Sequence, residues 1–131
     1  MVDTLGLLLK VLVTEANIGE REGADWLLTS VRGRFPRLEL VWVDGGFAGE
    51  DFEARLHKEC GVKIEVVKRS EQAKGFVLLP RRWVVERTFA WLGNYRRLSK
   101  DYEFSVYSSD AMIYAAMIHL MVRRLARKLP T

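Results

Sequence analysis

The sequence contains few of the residues that form disulfides or bind zinc. It has one cysteine, Cys60, and two histidines, His57 and His119, among 131 residues. A single thiol cannot form an internal disulfide, and this set of residues lacks the spacing of a zinc site. We therefore expect Cys60 to be a small buried hydrophobe or an unreactive thiol, and His119 to be a packed or hydrogen-bonded side chain.

Long apolar runs are also missing. The apolar stretch 5–13 is interrupted by Lys10, is too short to span a bilayer, and lacks the features of a signal peptide. The hydrophobic content is 49%, with four tryptophans, and there is no low-complexity segment, which is typical of a globular protein. We expect a cytoplasmic protein that forms one domain and has no membrane partner.

Positive charge is concentrated in the second half of the chain. Residues 1–67 contain 8 Lys and Arg against 12 Asp and Glu, whereas residues 68–131 contain 13 against 5. A basic half of this kind favours binding to nucleic acid, although basic helices also occur on proteins that bind other acidic partners.

Alternating strand-like and helix-like stretches predict an α/β domain whose later strands are parallel. The predicted strands are 7–14, 38–43, 62–67 and 76–79. The predicted helices lie within 17–35, at about 49–60, from Pro80 to about Arg97, and from a cap at Ser108 or Ser109 to the basic C-terminal residues. Gly61 is expected to stop the second helix.

Asp44 follows a predicted buried strand and precedes Gly45 and Gly46. In open α/β sheets, functional side chains gather beyond the carboxyl ends of the strands, and the glycines would let a polyanion approach this carboxylate. The alternative is that Asp44 only begins a turn, as Asp-Gly pairs often do.

Glu86 lies in a predicted helix that is rich in arginine and aromatic residues. Residues three and four apart share a helix face, so Arg82, Glu86 and Arg97 lie along one stripe. Glu86 either pairs with Arg82 or Arg87 on a solvated face or holds a cation beside a phosphate backbone. Two carboxylates near a basic surface suit Mg²⁺ or Mn²⁺ in phosphodiester chemistry, because these hard ions prefer oxygen ligands.

Three stretches of sequence closely resemble the C-terminal part of bacterial insertion-sequence DDE transposases. They are residues 2–9, 43–49 and the segment from 84–92 to 98–103. The resemblance implies a ribonuclease-H-like mixed sheet with flanking helices, expected to lack its first strand, plus C-terminal basic helices. It implies that Asp44 is the second acid of a catalytic triad, that Glu86 is the third, and that Arg82 is the family's arginine.

Two positions depart from the family pattern. A lysine is often found seven residues after the glutamate, where this chain has Gly93, so Arg96 or Arg97 is expected to make that contact instead. The first catalytic Asp of the family lies upstream of the stretch that resembles residues 2–6, and Asp3 matches a turn and not the metal site. We therefore expect residues 1–131 to be one partial catalytic domain, with the sheet and two helices in 1–80 and the third acid and basic surface in 81–131.

The expected function is metal-dependent cleavage and strand transfer at insertion-sequence ends, with this chain inactive alone. Asp44 and Glu86 are the expected catalytic and metal-binding residues, for two Mg²⁺ or Mn²⁺ ions in the complete family site. The expected DNA-phosphate contacts are Arg82, Arg87, Arg96, Arg97 and Lys100. Further candidate partners are a second copy in a homodimer and a separately encoded N-terminal half.

Two other functions remain open at this point. One is a non-catalytic DNA-binding or dimerising remnant of a transposase. The other is a nuclease or resolvase of the same fold, which is disfavoured by the close resemblance of residues 87–102 to transposases. Aromatic residues at helical spacing are more often core than DNA contacts, so Trp83, Trp91 and Tyr95 are expected to be core residues.

Overall fold

The structure is a computed structural model that describes residues 1–47, 49–67 and 82–128, without the side chains of Glu50, Arg82 and Lys128. The described residues form four α-helices and a two-stranded parallel sheet, which confirms the α/β class. They divide into two compact units, Ala16–Trp83 on the one hand and Met1–Glu15 with Val84–Thr131 on the other. The strand expected at 76–79 and the helix start expected at Pro80 lie outside the described residues.

The unit Ala16–Trp83 contains helix α1 (Glu20–Ser30), strand β1 (Leu40–Val43), helix α2 (Glu50–Cys60) and strand β2 (Lys63–Val66). β1 and β2 pair in parallel, with Val43 opposite Val66, as the order of elements predicted. The buried apolar residues of this unit are Leu28, Val31, Phe52, Leu56, Val62 and Ile64. Cys60 is a half-buried free thiol.

The predicted end of α2 is correct. The predicted stretches for α1 and β1 extend beyond the observed elements. Gly61 ends α2 in the left-handed conformation at φ +70°, as expected. α1 ends at Ser30, because the backbone then forms tight turns through Gly33 at φ +71°. β1 begins at Leu40, because the N–H of Leu38 donates to the carbonyl of Phe35 in a turn.

The second unit consists of residues 1–15, helix α3 (Arg82–Gly93, from Val84 on) and helix α4 (Val106–Lys128). Leu92, Ala116 and Met117 form its buried core, and leucines at positions 7 and 8 pack against them. α3 is shorter than predicted: it ends at Gly93, and a short 3-10 helix follows at Arg96–Leu98. The reason is local, since Tyr95 is extended and its N–H donates to the carbonyl of Leu92.

The strand expected at 7–14 is wrong. Only an isolated antiparallel bridge between Val2 and Leu8 forms there. The N–H of Val11 donates to the Tyr114 hydroxyl at 3.2 Å, and the N–H of Val13 donates to Oδ1 of Asp110 at 2.9 Å. Because side chains of α4 satisfy these donors, this stretch lies along a helix and forms no strand ladder.

The cap expected for the last helix is also wrong. α4 begins at Val106, and the Ser105 hydroxyl accepts a hydrogen bond from the N–H of Tyr107 at 3.3 Å. Ser109 is instead buried in the helix, and its hydroxyl donates to Asp101 at 3.3 Å. His119 is hydrogen-bonded to the Tyr95 hydroxyl at 2.9 Å, which confirms the prediction of a hydrogen-bonded side chain.

Candidate functional site

Asp44 lies directly beyond the C-terminal end of β1, at the edge where β2 also ends. Its side chain is exposed, and its Oδ1 accepts a hydrogen bond from the N–H of Gly46 at 3.2 Å. Its carbonyl accepts another from the N–H of Phe47 at the same distance, within the 3-10 turn Gly45–Phe47. The carboxylate of this exposed residue therefore helps to shape the turn.

The first turn of α1 borders the same glycines. Oε2 of Glu20 and Oδ1 of Asp44 lie 3.0 and 3.4 Å from the position that a Cβ on Gly46 would occupy. Nε of Arg21 donates to the Gly46 carbonyl at 3.4 Å. No local sequence pattern connects Glu20 in α1 with this turn, which lies 26 positions later in the chain. A Cβ at Gly46 would thus be in tight contact with the Glu20 carboxylate and in ordinary van der Waals contact with that of Asp44.

Glu86 lies on α3 in the other unit, and its side chain is exposed. The Glu86 carboxylate has no hydrogen bond or ion pair with the residues and side chains that the structure describes. Phe89, three residues later, is 68% exposed, whereas Leu92 is buried. The outer face of α3 around Glu86 is therefore open to a ligand.

Both carboxylates suit a hard divalent cation by donor type. Each is exposed and offers oxygen atoms, which Mg²⁺ and Mn²⁺ prefer over nitrogen or sulfur. No group of three or more His, Cys, Asp or Glu residues that could hold a metal is found among the described residues. The metal role of Asp44 and Glu86 stays a prediction.

The residues predicted to contact DNA fall into two groups. Arg96, Arg97 and Lys100 lie after α3 in the exposed segment 96–100, which we call the basic connector. Arg97 forms an ion pair with Glu103, yet 61% of its side chain is exposed. Arg82 begins α3, and its side chain is outside the described part of the chain.

Arg87 differs from the residues of the basic connector, because it is half-buried and makes internal contacts. Its Nη2 donates to the carbonyl of Leu5 at 2.9 Å. Its guanidinium lies 4.8 Å from the centre of the Trp91 ring, and that of Arg124 on α4 lies 4.0 Å from it. Trp91 and Tyr95 are half-buried, while Trp83 is partly exposed.

Among the described residues, no helix is both long enough and apolar enough to cross a bilayer.

Comparison with known proteins agrees with the sequence resemblance. The family model for the transposase DDE domain matches residues 1–121. A curated protein of Burkholderia cepacia, named "Putative transposase for insertion sequence element IS402", is 31% identical over 110 residues, which is 79% of this chain and 51% of the relative. The chain thus spans about half the length of that relative. No solved structure matches. The chain belongs to the family of transposase DDE domains.

Proposed function

We propose that this chain is the C-terminal portion of a DDE transposase that cleaves DNA at insertion-sequence ends and transfers the cut strands. The observation that carries the proposal is the exposed carboxylate of Asp44 just beyond the end of a parallel strand, in a chain whose family match covers residues 1–121. We propose that the chain alone is inactive, because the resemblance assigns it only the second and third acids of the triad.

The fold that we propose for the complete catalytic domain is ribonuclease-H-like. The parallel pairing of β1 with β2, with helices between and after them, supports it. The first acid and its strand would come from a separately encoded N-terminal half.

Asp44 and Glu86 would hold the divalent cations, Mg²⁺ or Mn²⁺, two in the complete site. When bound, such ions activate the attacking oxygen and stabilise the leaving oxygen of a phosphodiester. Asp44 would be presented by the glycine turn, which leaves room for a DNA backbone beside the carboxylate. Glu86 would be presented on the open face of α3.

Double-stranded DNA is the proposed partner. The proposed phosphate contacts are Arg82, Arg96, Arg97 and Lys100. Arg87, which was also expected to contact DNA, is half-buried and donates to the Leu5 carbonyl within its own unit. The exposed guanidinium of Arg96 and the exposed ammonium of Lys100 offer the most direct support, because neither has a hydrogen bond or ion pair among the described residues. We further propose a homodimer, since two transposon ends are most simply bound by two symmetry-related copies.

Binding to duplex DNA can be measured by fluorescence anisotropy over a series of salt concentrations. Each lost phosphate contact lowers the slope of log affinity against log salt by about 0.9. We expect R96Q and K100Q each to lower the slope by about this amount, and R37Q, which removes an exposed arginine from the other unit, to leave it unchanged. Absence of duplex binding, or an equal loss of slope in R37Q, would contradict the proposed DNA surface.

Catalysis is tested by a strand-joining assay with Mg²⁺. We expect no product from the chain alone, and product when the polypeptide encoded directly upstream is added. In that mixture D44N and E86Q should abolish joining, whereas E53Q, which changes a carboxylate of α2, should not. Joining by the chain alone would overturn its proposed inactivity. DNA binding without cleavage in the mixture would favour the non-catalytic remnant.

A further inference from the structure

The N-terminal residues 3–7 form a closed turn, which we call the docking turn. Oδ1 of Asp3 accepts hydrogen bonds from the N–H groups of Leu5 at 2.9 Å and Leu7 at 2.8 Å. The N–H of Asp3 donates to the Leu7 carbonyl at 2.9 Å, and that of Gly6 donates to the Asp3 carbonyl at 3.0 Å. Oδ1 of Asp3 thus helps to close the turn that the family resemblance predicted at this position.

The carbonyls of Leu5 and Gly6 are left to be satisfied by α3. The Thr88 hydroxyl, which is buried, donates to the Gly6 carbonyl at 2.7 Å. Gly6 lies so close to α3 that a Cβ would be 2.9 Å from Thr88 Oγ1 and 3.1 Å from the Trp91 ring. One face of α3 is therefore in tight contact with the docking turn.

Arg87 makes the second hydrogen bond to this turn. Its Nη2 donates to the Leu5 carbonyl at 2.9 Å while its guanidinium lies over Trp91. Arg124 of α4 lies over the same ring, so the Trp91 indole connects α3 with α4 through this second guanidinium. A guanidinium can donate a directed hydrogen bond and contact a ring at once, whereas a lysine ammonium is a point charge without the planar fork.

Neighbouring residues on α3 have different surroundings. Arg87 points to the docking turn and Trp91, whereas the adjacent Glu86 is exposed. Fixing the rotation of α3 about its axis fixes the direction in which Glu86 projects, because successive helix residues are about 100° apart. An arginine directly after the proposed third acid is thus well placed to set its direction.

We propose that Arg87 is a positioning residue, which holds α3 against the docking turn and so orients Glu86, and that it does not contact DNA phosphate. This inference depends on the proposed metal role of Glu86. The docking turn would then help to orient Glu86 in the metal site, although the turn itself supplies no metal ligand.

The first measurement separates the two roles of Arg87 by salt dependence and amide hydrogen exchange. We expect R87Q to retain the wild-type salt slope for duplex DNA, while R96Q loses about 0.9. We expect R87Q and R87K both to speed exchange of the Leu5 and Leu7 amides by about tenfold, because either change removes the bond from the guanidinium. R96Q should leave this exchange unchanged.

The second measurement follows Glu86 itself, by Mn²⁺-induced broadening of its carboxyl NMR signal. R87K keeps the positive charge but loses the guanidinium. If the guanidinium orients Glu86, R87K should need severalfold more Mn²⁺ than wild type to broaden the Glu86 signal. A salt slope that falls in R87Q and recovers in R87K overturns the proposal, as does unchanged exchange in both variants. Equal Mn²⁺ requirements in R87K and wild type also overturn it.

The two proposals can fail separately. If the wild-type chain does not bind duplex DNA, or if Mn²⁺ leaves the Glu86 signal sharp, the proposed transposase site fails. In that case, amide exchange at Leu5 and Leu7 would still be slow and would still depend on the Arg87 guanidinium. Arg87 would then only stabilise the docking turn, with no role in orienting a metal-binding residue.

Discussion

Replacing Gly6 with alanine tests the contact between the docking turn and α3. Gly6 has φ +80°, a conformation that costs an L-residue about 1–2 kcal/mol. The added methyl group would also lie 2.9 Å from Thr88 Oγ1 and 3.1 Å from the Trp91 ring. Such overpacking typically costs about 1–3 kcal/mol. We therefore expect G6A to lower the free energy of unfolding of its unit by about 2–5 kcal/mol.

Gly33 provides a matched control for the backbone term. It has φ +71°, but no atom lies within 4 Å of the position of its added Cβ. We expect G33A to cost only the backbone term of about 1–2 kcal/mol. Because the two glycines belong to different units, the assay is hydrogen exchange resolved by residue during urea titration, which gives each unit its own free energy. Equal losses in the two variants would refute the close approach of Gly6 to α3.

Three further outcomes follow from individual contacts. D110A leaves the Val13 N–H without its acceptor at 2.9 Å, so urea unfolding should show a loss of about 1–3 kcal/mol, and a loss below about 0.5 would exclude this bond. E103Q removes the partner of Arg97, whose side chain is largely exposed, so stability should change by less than about 1 kcal/mol in the same assay. Burial lowers the pKa of the Met1 amine below 8.0, so the folded state binds fewer protons, and stability should rise with pH from that lowered pKa to about 8. Acetylation of the amine should remove this trend in pH-dependent urea titrations, and a trend that persists would exclude Met1 as its source.

Local signals predicted the elements of the unit Ala16–Trp83 well. Helical spacing predicted a helix within 17–35, where α1 is observed, and Gly61 marks the end of α2 through its positive φ. Asp44 was expected beyond the end of β1 and lies there. These features depend on residues within one or two turns of each other, which is the range over which a sequence pattern is informative.

The errors concern residues whose partners are distant in the chain. The branched apolar residues of 7–14 have strand propensity, but the amides of Val11 and Val13 find acceptors 103 and 97 positions away. The hydrogen bond from Arg87 to the Leu5 carbonyl, 82 positions away, was likewise not predicted, because no residue near Arg87 in the sequence indicates it. Tertiary contacts override local preference in both cases, and no spacing rule could have found them.

The unit formed by Met1–Glu15 and Val84–Thr131 is discontinuous in sequence, and this has a consequence for synthesis on the ribosome. The Gly6 carbonyl meets Thr88 only after 82 further residues have been made. At about 5–20 residues per second this delay is roughly 4–16 s. Throughout that time the apolar stretch 5–13 has no helix to cover it. The intervening residues are complete earlier, so the apolar stretch 5–13 must avoid aggregation, alone or with a chaperone, until α3 and α4 emerge.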